Sequence, residues 1–571
     1  MKVALIFPPA MHPTSPPLGI STLKAFLKEK NPGCSVRLWD LNLACYRKAL
    51  EWMREEKLRI RLRDLDAGTT LARVEEAYAF FRGRAGMEAF FDLSRYNAAA
   101  GLYRRFEQVL HGLLENFARR ILVGEEVPSL AERFFRELIE PVAAERPDLI
   151  GFSVLFSQQI FLTLLLAKLL KRPSNRVVLG GATFSVMPHP ERLLAGPTRI
   201  VLQSGPHDLD PRPFVNGLVL GEGERPLEAL VSSPLGSLSD IPGLVFEHNG
   251  SVMSNPGQGI EDLDQLPCPD FGDFPLRKYH SPLPVLPYLS SRGCFWNRCS
   301  FCTHSKTYFS YREESAEKTV ENLAFLKDRW GVQHFALVDE MIHPARFRRL
   351  GRLMIDRKLE IGYSAYARPG GGFRPQVLQT IAKSGLRVMM WGVETASQRL
   401  LDLMKKGVKA EGVRKVLRDA HEAGIWNLLF LMFGFPTESR EEWEQTLEFV
   451  RRNREYIDAV SRSRFVLLAG SRMMEEPSAY GIVRVMDRPR RDPISVAYDY
   501  ETCRGLKPEE IETKFRESAS AAGLDGRSPF FGIFRDHLLL HAARRENSGR
   551  CCDSPGEMPG DPGRVRLSGD G

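Results

Sequence analysis

Three cysteines, Cys294, Cys299 and Cys302, stand close together in the order C-x4-C-x2-C. Three thiolates can hold three irons of a 4Fe-4S cluster and leave the fourth iron open to a small-molecule ligand. With His304 as a fourth ligand, the same residues would instead make a structural zinc site. Zinc ligands of that kind usually arrive as two separated pairs, and no second Cys/His pair lies nearby, so the cluster reading is preferred. Further along, charged or glycine-rich groups follow strand-like runs. Asp339-Glu340 follow His334 to Val338, Arg368 follows Gly362 to Ala367, and Glu394 follows Val388 to Val393. Gly434-Phe435-Pro436-Thr437-Glu438 follow Asn427 to Phe433, and Arg464 to Leu468 reads as a last strand.

Such groups need a scaffold that gathers strand ends. Strand and helix patterns alternate over residues 285–475, which predicts a partial, TIM-like (β/α)6 barrel. On a parallel barrel the carboxyl ends of the strands carry the active site. The amino-terminal part is also α/β. Val3 to Phe7 is an apolar run bounded by Pro8-Pro9, followed by a helical pattern from Ile20 to Lys30 and a strand from Val36 to Leu41. The pattern resumes with Asp148 to Ser153, a helix from Gln159 to Lys171, Val177 to Gly181, and Leu218 to Glu224. Residues 1–45 and 146–235 are therefore expected to form a Rossmann-like, doubly wound domain. Glycines after its strands would let a ligand approach the sheet edge.

Residues 46–145 carry helical spacing and read as a helical insertion, either a lid or a packing element. Residues 236–284 form a proline-punctuated linker, 476–545 a small helical cap, and 546–571 a tail whose composition predicts disorder. Cys551 and Cys552 lie in that tail. A length of 571 residues implies more than one core. The net charge of +8 comes from 79 basic and 71 acidic residues without a basic block, so nucleic acid is not the expected partner. The chain opens directly into a strand pattern, and its longest apolar run, Ile160 to Leu170, is too short to span a bilayer. A cytoplasmic protein without a disulfide framework is expected.

The cysteine loop resembles that of the radical S-adenosylmethionine (SAM) enzymes, which more often space it C-x3-C-x2-C. Pro8-Pro9…Pro17-Leu18-Gly19, Asp148 to Ser153, Leu179-Gly180-Gly181 and Gly221-Glu222-Gly223-Glu224 resemble the cobalamin-binding domain that precedes many of those enzymes. The resemblance implies a 4Fe-4S cluster on Cys294, Cys299 and Cys302, with SAM on its open iron. It implies SAM contacts from Phe301, Glu340, Arg368, Glu394, Ser397 and Gly434, and corrinoid contacts from Pro9, Gly19, Ser153, Gly180, Gly181, Gly221 and Glu222. Lys406-Gly407 is similar to that family's Lys-Gly turn. The Asp-x-His-x-x-Gly signature is absent, so any cobalamin would lack a histidine from that motif, and Thr183 replaces a frequent histidine.

The activity implied is reductive cleavage of SAM to a 5′-deoxyadenosyl radical, with cobalamin-dependent methylation of an unactivated carbon. The substrate would be a small molecule or peptide, and the electron donor a flavodoxin or ferredoxin. A cyclase or rearrangement enzyme of the same build is the alternative. A non-catalytic cobalamin carrier with a zinc site is a second one.

Overall fold

A computed structural model of the chain describes residues 1–63, 65–232, 237–486, 495–521, 530–531 and 533–547. Cys551, Cys552 and the tail from residue 548 lie outside the described residues. The first sheet has seven strands in the order Ser35–Asp40, Lys2–Phe7, Leu149–Ser153, Arg176–Gly180, Gly217–Val219, Leu244–His248 and Ser251–Ser254. The first five are parallel and the last two add an antiparallel hairpin. That hairpin falls in the stretch read as linker, so the sheet runs on to Ser254.

The run Val3 to Phe7 is apolar at every position because both of its faces are covered. Val3, Leu5 and Phe7 pack with Ile20, Leu27 and Leu227 of the helices Leu18–Lys30 and Glu224–Ser232. Ala4 and Ile6 point the other way, into a core shared with the helical insertion. The strand order reverses direction between Lys2–Phe7 and Leu149–Ser153, and at such a reversal an open sheet leaves a crevice.

The insertion comprises helices Leu41–Arg54, Ala67–Phe81, Met87–Phe91, Leu93–Leu122 and Ser129–Ala144. Asp40 caps the first, its side chain accepting from Leu43 N at 2.9 Å. The insertion packs on the sheet and also on the end of the chain. Tyr96 Oη and His537 Nδ1 are 2.9 Å apart, and the Phe81 and Phe534 rings meet edge to face.

The second sheet runs Val285–Tyr288, His334–Leu337, Gly362–Ala367, Leu386–Glu394, Trp426–Phe433, Ala459–Arg464 and Phe530–Phe531, in chain order and all parallel. The sixth strand is displaced from the expected Arg464 to Leu468. Ala-Val-Ser-Arg-Ser-Arg is too polar to read as a buried strand, and pairing with Trp426–Phe433 decides it. Leu467–Leu468 instead joins Ala497–Thr502 and Ile482–Met486 in a small antiparallel sheet, so the expected helical cap is partly β.

The helix Arg535–Asn547 is the larger surprise. Leu538, Leu539 and Leu540 are buried in one core with Val285, Ala336, Val388, Met390, Leu428 and Ala459, the inward-facing strand residues. Three consecutive leucines spread over more than half of the helix circumference, so more than one face of that turn must be covered. The helix fills the barrel instead of capping it. No helix among the described residues is long and apolar enough to cross a membrane.

Candidate active site

The cysteine loop leaves the first barrel strand through Leu289 and a short pairing of Ser291–Arg292 with Arg312–Glu313. Gly293 turns the chain at φ 78°, where a side chain would press on the Ser310 carbonyl oxygen at 3.0 Å. The loop is anchored from outside the thiols. Trp296 Nε1 donates to the Lys405 carbonyl (2.9 Å), Ser300 N to the Met404 carbonyl (2.9 Å), and Arg472 Nη2 to the Asn297 carbonyl (2.8 Å). Cys294, Cys299 and Cys302 are free, half-buried thiols, and all three line one cavity of about 570 Å³. Burial pushes the Cys302 thiol up to about 12 and raises Cys299 as well.

Among the described residues no three Cys, His, Asp or Glu side chains converge closely enough for a single metal ion. His304 Nδ1 lies 2.7 Å from Glu340 Oε1, which takes it out of a cysteine set. A sulfur donor set spread around one cavity fits a multi-iron cluster better than a lone zinc ion.

Glu340, Arg368 and Glu394, from the ends of three successive strands, line the same cavity, as does Phe301. Asp339 also lines the cavity and commits one oxygen to the chain. Fully buried, it accepts from Ser290 N (3.1 Å), Ser290 Oγ (2.9 Å) and Ser291 Oγ (2.6 Å), and so buttresses the cysteine loop. Glu394 sits at φ 65°, beside a register shift between Gly392 and Glu394. A non-glycine residue held in that region marks a position the surroundings over-determine. Lys406 Nζ donates to Glu394 Oε1 at 2.6 Å, and both side chains are 11% exposed. Burial works against the Lys406 charge, yet Glu394 and Cys299 hold its ammonium above the ordinary lysine value. Arg368 Nη1 donates to the Lys406 carbonyl at 2.7 Å and its guanidinium lies 3.7 Å from the Trp296 ring centre. Lys406 was legible only as part of a turn; its role as the cation facing Glu394 comes from the fold.

A second cavity, of about 300 Å³, opens at the carboxyl edge of the first sheet. Gly19, Ser153, Gly180, Gly181, Gly221 and Glu222 all line it. Gly181 has φ 106° and a Cβ there would collide with the backbone of Val154. A Cβ on Gly221 would lie 2.8 Å from the Phe309 ring. At both positions the chain's own packing leaves no room for a side chain. Leu155 and Val338 line both cavities, so the two adjoin. Pro9 is buried in the turn after Phe7 and is not part of the wall. His12 turns away as well, pairing with Glu107 and stacking edge-on to Phe534.

Residues 288–450 match the sequence profile of the Radical SAM superfamily. That stretch is a Radical SAM domain. An uncharacterized methyltransferase of Pyrococcus horikoshii is 30% identical over 266 residues, 44% of this chain and 58% of that protein. An anaerobic magnesium-protoporphyrin IX monomethyl ester cyclase of Rubrivivax gelatinosus is 28% identical over 260 residues, 43% of this chain and 46% of that one. The chain thus spans about half the length of these relatives. Among solved structures, the cobalamin-dependent SAM radical enzyme OxsB, with aqua-cobalamin and SAM bound, superposes with TM-score 0.61 at 14% identity. That alignment covers 96% of this chain and 75% of OxsB. The radical SAM methyltransferase TsrM of Kitasatospora setae, with cobalamin and a 4Fe-4S cluster bound, gives 0.60 at 14%, covering 96% and 100%. At that identity the likeness is one of fold.

Three residues expected to contact a cofactor, Ser397 and Gly434 for SAM and Glu222 for a corrinoid, have partners within the chain. Ser397 caps the helix Gln398–Leu403 and donates to Glu442 Oε1 at 2.7 Å, outside the cavity wall. Gly434 lies under Ile511, its N–H donating to Glu438 Oε2 at 2.5 Å. Glu222 lines the second cavity, but its carboxylate is occupied by Arg292 (2.5 Å) and Arg312.

Glu438 gives this region a pH dependence. It is 1% exposed, one carboxylate oxygen has no partner, and burial pushes the carboxyl up to about 8 despite the Gly434 N–H. The folded protein therefore keeps a proton that the unfolded chain releases. The associated stability is intact below the ordinary glutamate value and is lost as pH rises through about 8. Glu438→Gln removes that loss. We expect urea unfolding to show the variant gaining about 2 kcal/mol on wild type between pH 5 and pH 8; parallel curves for the two proteins would contradict it.

Proposed function

We propose that this protein cleaves SAM reductively at the cavity lined by Cys294, Cys299 and Cys302 and methylates a carbon of its substrate with the help of a corrinoid. The observation that carries this reading is the convergence of three thiols, Glu340, Arg368, Glu394 and Lys406 on one cavity that adjoins the glycine-lined cavity of the first sheet. The cysteines would hold a 4Fe-4S cluster, and the crevice around Gly180, Gly181 and Gly221 would hold cobalamin. When bound, the cluster supplies one electron to the sulfonium of SAM, and the corrinoid supplies the methyl group.

The chain's own residues orient and desolvate. The carboxylates of Glu340 and Glu394 suit the α-ammonium of SAM, and the Arg368 guanidinium suits its carboxylate. Lys406 pairs with Glu394 and holds its carboxylate in place. Leu155, Phe156, Met390 and Phe430 give the cavity an apolar wall that excludes water from a reactive centre. Phe301 offers a flat face for the adenine. Electrons would come from a protein carrier such as flavodoxin or ferredoxin.

Anaerobic reconstitution with iron and sulfide, followed by dithionite and SAM, tests this directly. We expect about four irons per chain and release of 5′-deoxyadenosine. Stoichiometric zinc in place of iron, or no SAM cleavage, would overturn the proposal. Because one of the relatives is named a cyclase, the co-product matters. S-adenosylhomocysteine formed alongside 5′-deoxyadenosine marks methyl transfer, whereas 5′-deoxyadenosine alone marks cyclisation or rearrangement.

A further inference from the structure

Arg535 is the first residue of the helix that fills the barrel, and it faces the cysteine-lined cavity. It lies beyond residues 288–450, the part shared with the superfamily profile. Its Nη1 donates to Tyr366 Oη at 2.7 Å. The guanidinium lies 5.0 Å from the Phe430 ring centre and 5.6 Å from that of Tyr366, two rings stacked within 4° of parallel. The ring pair flanks the guanidinium, and the bond to Tyr366 takes one of its five donors.

The other charged groups of the cavity each have a polar partner in the chain. Glu340 faces His304, Glu394 faces Lys406, and one oxygen of Asp339 accepts from Ser290 and Ser291. Arg368 is bonded to the Lys406 and Gly407 carbonyls. Among the described residues no carboxylate lies within ion-pairing distance of Arg535, and the side chain remains exposed to the cavity. A cation in the first turn also opposes the helix dipole, so helix stability does not account for it.

We propose that Arg535 binds an anionic group of the substrate, a carboxylate or a phosphate, so that the substrate is an organic acid or a phosphoester. The inference rests on the cysteine-lined cavity being the reaction chamber. Residue-resolved phenylglyoxal labelling of the full chain, before and after reconstitution, tests it. Arg298, exposed on the cysteine loop, serves as the internal reference. Labelling is compared in chloride, succinate and inorganic phosphate at matched ionic strength.

We expect one of the two probe anions to slow labelling of Arg535 about fivefold while Arg298 is unchanged, since charge-assisted contacts to a held guanidinium are strong. Protection by succinate identifies a carboxylate and protection by phosphate a phosphoryl group. Equal labelling in all three salts, or equal slowing at both arginines, overturns the proposal. Labelling requires neither iron nor SAM, so this outcome is read separately from the cleavage assay. Loss of protection with SAM cleavage intact would remove the anion site alone.

Discussion

Cys299→Ala is expected to leave a folded protein that neither retains a full cluster nor releases 5′-deoxyadenosine above background. The loss should be near complete because two thiolates cannot hold three irons of a cluster. Folding should survive because nothing structural hangs on that sulfur. The loop is anchored through Trp296, Asn297 and Ser300, whose bonds to Lys405, Arg472, Met404 and Met473 involve no thiol. The side chain is half-buried, so truncation to alanine costs about 1 kcal/mol at most. Iron and sulfide content, SAM cleavage and the melting temperature of the apoprotein are the three measurements. A variant with full iron content and normal cleavage would sink the assignment of the cluster ligands. A collapse of the apoprotein melting temperature would instead give Cys299 a structural role.

Arg292→Met should destabilise the protein by about 3–5 kcal/mol, the range for removing one partner of a buried ion pair. Arg292 is 8% exposed at its side chain and bridges Glu222 (2%) and Glu224 (4%) across the junction of the two sheets. Burial works against the guanidinium, but Glu224 and Glu222 outweigh it and hold its charge more firmly than in water. Methionine of similar length leaves two buried carboxylates facing each other, with Arg312 reaching only Glu222. The triple variant Arg292→Met, Glu222→Gln, Glu224→Gln should recover most of the loss, because the cost lies in the orphaned charges and not in the missing arginine. Chemical unfolding of the three proteins decides it. A triple variant no more stable than Arg292→Met would mean that packing, not charge, holds the junction. Since Arg292 and Glu222 line the glycine-rich cavity, and Arg292 immediately precedes Gly293 and Cys294, the variant should also weaken corrinoid binding.

Local features carried the legible part of this protein. The cysteine spacing and the glycine turns after strands each depend on residues a few positions apart. Strand ends were legible for the same reason. A strand that stops at a charged residue places that residue at the barrel mouth, which is how Glu340, Arg368 and Glu394 could be named from the chain alone.

Tertiary structure decided everything that depends on partners distant in the chain. Glu222 looked like a ligand contact until Arg292, 70 positions away, took its carboxylate. Ser397 looked like a SAM contact until its hydroxyl met Glu442, 45 positions away. Residues 476–545 read as a small helical cap, whereas Leu538 to Leu540 lie in the barrel core, and Arg535 acquires its aromatic neighbours only because that core is the barrel. The physical reason is common to all of them. Turns and strand ends are set largely by near neighbours, while strand pairing and a side chain's partner are set by whichever distant surface the packing brings against them.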